Sequence, residues 1–322
     1  MVSIMVAHPV KIVNNTGTAI SNYQQMVVAP MCNNCANASV SNIFWAYDPA
    51  GASIIPSWLE GYIGSTVAPT NAKSGSLVYW LKIAGTISAG ATQTVYMIFA
   101  DRGTTVWDGT LTGVAPYFTS TYAQYDNGAS VFNFYDNFAG TSLNTNKWST
   151  SLGTATYTVN NGLSVSGSST NAYFYGKIIQ NYPAVFEVEI TSNTGGSSQI
   201  RSGFSLTQGN APNYDILTSP SSSPPPEDLE SALGAFPVVM TNISSYPPIY
   251  IQSLAWINTG SQLAQVNYSY TLIGSNTTYS ISNYYPTIMF LFPSSSGTYT
   301  TVSNWVRVRA CTPNCTMPAV LF

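Results

Sequence analysis

The chain has 322 residues, of which only 7% are charged, 9 Lys and Arg against 12 Asp and Glu; ordinary domains carry about 25%. That scarcity excludes a nucleic-acid partner, which requires clustered Lys and Arg, and leaves no polybasic patch for a membrane surface. With 45% hydrophobic residues the chain is long enough for two well-filled domains.

A surface built from Ser, Thr, Asn, Gln and Tyr suits a place where carboxylates are unreliable. In strong acid they are protonated, whereas neutral hydroxyls and amides bond at any pH. An extracellular, cell-surface location is therefore expected. The opening "MVSIMVAHPV" lacks a basic region and an apolar stretch of signal-peptide length, so export implies earlier processing. No run of 18 apolar residues occurs, and no membrane span is expected.

The predicted elements are almost all strands. The first, "VSIMVA" (residues 2–7), sets Val2, Ile4 and Val6 on one face, and Pro9 is expected to end it. Such a strand pairs within its own sheet or completes the sheet of a neighbouring subunit by strand donation. On the second reading Val2, Ile4 and Val6 form a subunit interface and the chain polymerises head to tail. "VKIVN", "QQMVVAP", "SLVYWLKI" and "QTVYMIFA" follow, separated by Gly, Asn, Ser and Pro. After "SVFNFYDNFAGTSLNTNKWS" (130–149) come "AVFEVEI", "IYIQSLAWI", "QVNYSYTLIG", "TIMFLF" and "NWVRVRA". Along the last, Val306 and Val308 face one way and Arg307 and Arg309 the other, the pattern of a half-exposed strand. The fold class is all-β, two β-sandwich (jelly-roll-like) domains. The one short helix is expected in a Pro-rich insertion (215–248), over "SPPPEDLESALGAF" (223–236). There prolines stand at the entry, Glu227, Asp228 and Glu230 in the first turn, and Gly234 at the end.

The order "NYQQMVV", "IPSWLEGY", "YWLKIAG", "QTVYMIFA", "YDNGASVFNFYDNF" resembles a domain of unknown function common in archaeal surface and secreted proteins. It covers roughly residues 8–135. From Phe138 onward, "FAGTSLNTNKW", "YTVNNGLSVSG" and "AVFEVEI" resemble the opening of a concanavalin A-like (laminin G-like) jelly roll, taken as 136–322. The closing "WVRVRACTPNCTMPAV" is similar to the end of the same architecture, with Cys311 and Cys315 where Pro and Gly are usual. The resemblance implies fold and says little about activity.

Few residues suit chemistry. Glu187 and Glu189 share a strand face, as the acid and nucleophile of laminarinase-type glycosidases do. Those enzymes use Glu-x-Asp-x-x-Glu on a later strand, and residue 192 here is Ser, so a structural strand pair is favoured. His8 is the sole histidine, beside Pro9, with no G-x-S-x-G elbow to accompany it. Cys32 and Cys35 (C-x2-C) with Cys311 and Cys315 (C-x3-C) permit a tetrahedral zinc site, a redox pair or disulfides. Outside the cell disulfides are expected, with local and crossed pairing both open. Sequons start at Asn14, Asn37, Asn242, Asn267, Asn276 and Asn314, a number that the Asn, Ser and Thr content produces by chance. Glycosylation there rests on the extracellular reading. The aromatic residues belong chiefly to cores.

No catalytic residue, metal or cofactor is assigned. The expected function is an extracellular structural protein, the subunit of a surface filament or coat that takes copies of itself as partner. The alternatives are a glycan-binding adhesion module and a glycoside hydrolase of concanavalin-like fold.

Overall fold

The structure is a computed structural model, described over residues 2–32, 34–63, 76–180, 183–194, 199–205, 214–218, 226–231, 243–244, 250–258, 261–266, 272–276, 285–292, 299–312 and 315–322. The chain divides into two compact units, one of residues 1–133 with 310–322, the other of residues 134–309.

The first unit opens with β1 (Ile4–Val13), β2 (Ile20–Pro30), β3 (Ile43–Ala46), β4 (Ser57–Ile63), β5 (Ser76–Ile87), β6 (Thr92–Ala100) and β7 (Thr112–Val114), then a single helical turn, α1 (Gly128–Val131). The second holds β8 (Phe134–Asp136), β9 (Trp148–Ser151), β10 (Thr156–Val159), β11 (Leu163–Gly167), β12 (Thr170–Gly176), β13 (Ala184–Thr194), β14 (Gln199–Ser205), β15 (Tyr214–Thr218), β16 (Pro226–Ser231), β17 (Ile243–Ser244), β18 (Tyr250–Asn258), β19 (Ser261–Val266), β20 (Leu272–Asn276), β21 (Tyr285–Phe292) and β22 (Tyr299–Ala310). A last strand, β23 (Ala319–Leu321), lies in the first unit.

In the first unit one sheet runs β23-β1-β6-β3 and the other β2-β5-β4-β7. Alternation sends Val10, Ile12, Val95, Met97, Phe99 and Trp45 from one sheet and Tyr23, Val27, Leu77, Tyr79 and Leu81 from the other into a shared core. The far side of the second sheet is also buried in part. Trp58 and Trp80 are buried there, each edge-on to Phe132. Their indole N–H groups donate to Asp126 Oδ1 (2.8 Å) and Glu60 Oε2 (2.7 Å), which removes the cost of burying them.

In the second unit an eight-stranded sheet, β10-β11-β22-β13-β18-β19-β20 with β8 also on β22, is joined by a seven-stranded one, β17-β16-β15-β14-β21-β12-β9. Phe186, Val188, Val306 and Val308 of the first meet Phe174, Ile200, Phe204, Ile288 and Phe290 of the second. Within the aromatic stretch at the start of this unit, Trp148 is wedged between Phe134 (edge-to-face) and Phe138 (stacked), and its N–H donates to Asp136 Oδ2 at 2.5 Å. The molecule is all-β with jelly-roll-like sandwiches.

Three expectations change. The segment expected to be helical contains β16, paired with β15 (Ile216↔Leu229) and β17 (Glu227↔Ile243); the rest of 223–236 lies outside the described residues. Acidic and proline caps describe how a helix begins, yet a short isolated helix is marginal, and a sheet that can use the backbone groups overrides the preference. The short helix present, α1, lies in the first unit. Residues 310–322 join the first unit, because β23 pairs with β1 through Lys11↔Leu321, Ile12↔Val320 and Val13↔Ala319. Finally, Arg307 and Arg309 are buried, with relative exposures of 0% and 5%. Their face of the sheet is not a solvent face.

Candidate functional site

Two places gather unusual chemistry. One is the outer edge of β1. Residues 4–7 continue into β1 and pair within the chain, Ile4↔Ala100 and Val6↔Phe99, with a bulge between them. Pro9 does not end the strand. It faces Tyr96 in register and, lacking an N–H, is tolerated because this stretch is an edge. The expected single face of Val2, Ile4 and Val6 is not formed. The bulge reverses the alternation, so Ile4 packs with Phe44, Ile98 and Ala100 while Val6 packs on the main core. Val2 is exposed. Strand donation by residues 4–7 is thus replaced by pairing in cis. Among the described residues, β23 covers β1 only at Lys11–Val13, and no strand pairs with the outer side of Ile4–Val10.

Beside that edge is an apolar cavity of about 440 Å3, lined by His8 and Pro9, Met97 and Phe99, Pro30, Met31 and Cys32, and Phe322. His8 stands edge-on to Phe99 at 5.7 Å. Cys32 and Cys35 are joined to each other, as are Cys311 and Cys315. Local pairing is therefore the arrangement present.

The other place is the middle of β13. Glu187 and Glu189 are both fully buried. Arg307 Nε donates to Glu187 Oε2, Arg309 Nε and Nη2 stand 3.2 and 3.1 Å from Oε1, and the Ser253 hydroxyl donates to Oε1 at 3.0 Å. The Arg307 guanidinium also lies 4.5 Å above the Trp305 ring. Glu189 Oε2 accepts from Asn304 Nδ2 at 3.1 Å. Burial pushes the Glu187 carboxyl up, but the charges of Arg307 and then Arg309, with their hydrogen bonds, outweigh it and hold the group below the usual carboxylate range. A glycosidase acid needs the opposite shift and an open approach. The geometry fits a structural ion cluster.

Of the sequons, Asn14 is fully buried. Its Nδ2 donates to the carbonyls of Thr18, Ile87 and Ser88 (2.8, 2.9 and 3.1 Å), and its Oδ1 accepts from the amide and hydroxyl of Thr16. It holds a loop together and offers no nitrogen to a glycan. Asn37 is half-buried, its Nδ2 donating to Ser41 Oγ and the Thr104 carbonyl. Asn276 ends β20, while Asn242, Asn267 and Asn314 lie outside the described residues. Sequence reading missed the Glu187–Arg307–Arg309 cluster and the approach of His8 to Cys32. The parity of Arg307 and Arg309 was a usable signal for the first; nothing in the sequence announced the second.

Fold and geometry define a two-unit β-sandwich protein whose buried carboxylate is held by arginines. No family model matches the chain. Uncharacterized protein 562 of Sulfolobus islandicus rod-shaped virus 1 is 29% identical over 189 residues, covering 55% of this chain and 31% of the viral protein. The chain thus spans about a third of the length of that curated relative. Among solved structures, endo-acting O-glycanases of human gut microbiota are similar at 12% identity and a TM-score of 0.44, covering 55% of this chain and 98% of theirs. The LamA catalytic domain of Zobellia galactanivorans follows at 12% and 0.41, over 55% and 97% of the two chains. SCLam, a non-specific endo-β-1,3(4)-glucanase, stands at 11% and 0.42, over 55% and 90%. At such distances they carry no inference about substrate. Among the described residues, no helix is long and apolar enough to cross a membrane.

Proposed function

We propose that the protein is an extracellular structural subunit of a cell-surface filament or coat, and that it associates with copies of itself along the open edge of β1. The observation that carries this is the outer side of Ile4–Val10, which no strand pairs among the described residues, beside an apolar cavity. A strand edge that no other described strand covers, next to apolar surface, is a template for another strand, although Pro9 contributes no N–H to it. Two further features support the reading. The sparsely charged chain, with a net charge of −3, repels its own copies little, and Glu187 is committed to holding its sheet together.

The test is sedimentation and negative-stain electron microscopy of the purified chain over a concentration series. Assembly is expected to grow with concentration and to be lost in Met5→Lys/Ala7→Lys, since edge lysines block strand pairing. A wild-type chain that stays monomeric throughout, or a double variant that assembles unchanged, overturns the proposal. A second reading, action of the second sandwich on glycans, is supported by its jelly-roll fold alone. Saturable polysaccharide binding or release of reducing sugar by unassembled protein would favour it.

A further inference from the structure

We propose that, once its disulfide is reduced, the Cys32–Cys35 loop forms with His8 a redox-gated zinc(II) site. One ligand atom from each of His8, Cys32 and Cys35 lies within 4.8 Å of the other two. Tetrahedral zinc, with bonds of about 2.0–2.3 Å, sets sulfur and nitrogen donors roughly 3.6–3.8 Å apart. Rotating side chains about the existing positions covers that difference.

The disulfide holds the two sulfurs together, and the placing of the loop beside His8 rests on further contacts. His8 is fixed on β1 by its register with Met97 and by the Phe99 ring. The loop is closed by the amides of Cys35 and Ala36, both donating to the Cys32 carbonyl at 3.1 and 2.9 Å. Buried Asn42 then ties it to the end of β6, its Nδ2 donating to the carbonyls of Cys35 (2.9 Å) and Ala100 (2.7 Å). None of these contacts uses the two sulfur atoms.

Two thiolates and an imidazole are a soft set that suits zinc. Three protein donors leave a fourth position open, as in catalytic zinc sites. His8 and Cys32 both line the apolar cavity, so the site borders a half-open space able to admit water or a small ligand. The oxidised loop has no thiolate and binds nothing. Reduction by a phosphine breaks the S–S bond with two electrons from phosphorus. Water supplies the oxygen of the phosphine oxide and the protons of the two thiols, and zinc then displaces those two protons.

The experiment uses the full chain, reduced with a phosphine that is then removed, and titrates zinc(II) against a chromophoric chelator. Cobalt(II) serves as a second probe for tetrahedral thiolate absorption. One zinc per reduced chain is expected, and none per oxidised chain. Cys311→Ser/Cys315→Ser should bind as wild type, His8→Ala at least about tenfold more weakly, and Cys32→Ser not at all. Circular dichroism confirms that the variants are folded; His8 is exposed, so its removal leaves no core gap. The proposal is overturned if the reduced wild type binds no zinc or if His8→Ala binds like wild type. Loss of binding in Cys311→Ser/Cys315→Ser also overturns it, since that outcome assigns the metal to a four-cysteine site.

Discussion

Replacing Glu187 by Gln keeps its shape and removes its charge, which tests the buried cluster directly. The carboxylate is fully buried and contacts both Arg307 and Arg309, themselves 0% and 5% exposed. Taking one partner from a buried ion pair costs about 3–5 kcal/mol, because the remaining charge keeps its desolvation penalty without its counter-ion. Domains are stable by roughly 5–15 kcal/mol, so the loss is a large share of the total. In urea, with a slope of about 2–3 kcal/mol/M, the midpoint for the second unit should fall by roughly 1–2.5 M. The pH profile is a second readout. A carboxyl held below its unfolded pKa contributes stability that is complete above that value and is lost as pH falls through the folded pKa. Wild type should therefore lose stability on acidification below about pH 4.5, and Glu187→Gln should lose that part of the slope. A variant destabilised by less than about 1 kcal/mol, with an unchanged acid profile, would refute the ion-cluster reasoning.

Asn14→Ala should cost about 1–3 kcal/mol, because the carbonyls of Thr18, Ile87 and Ser88 lose their shared donor; glycopeptide mass spectrometry should find residue 14 bare. Gly113→Ala should lower the melting temperature of the first unit. An added Cβ would sit 2.2 Å from Asn127 Oδ1 and 2.3 Å from the Tyr125 carbonyl, and relieving such a clash costs about 1–3 kcal/mol. Reducing both disulfides should leave the chain folded in circular dichroism. The loops closed are short, with sequence separations of 3 and 4, and are worth about 2 kcal/mol each. Unfolding on reduction at 25 °C would show that the loops depend on them.

Much of the fold was legible because a strand announces itself locally. Val306 and Val308 alternate with Arg307 and Arg309 in any context, and alternation at that period predicted the core correctly. It did not say that the arginine face is dry, since that depends on what approaches from elsewhere in the chain. The same limit applies to "SPPPEDLESALGAF". Its prolines and carboxylates are helix-start signals, yet part of it runs as β16 because β15 and β17 present backbone partners.

Sequence alone determined the class of structure and the scarcity of charge, both properties of composition and short-range period. Tertiary structure decided the rest. It carried residues 319–321 back to β1, set Arg307 beside a carboxylate 120 positions earlier, and brought His8 to Cys32. These pairings are non-local, and their energies appear only when sheets exclude water around them. A one-residue bulge between Ile4 and Val6 shows the boundary most clearly. The alternation was written in the residues, but the register that reverses it belongs to the partner strand.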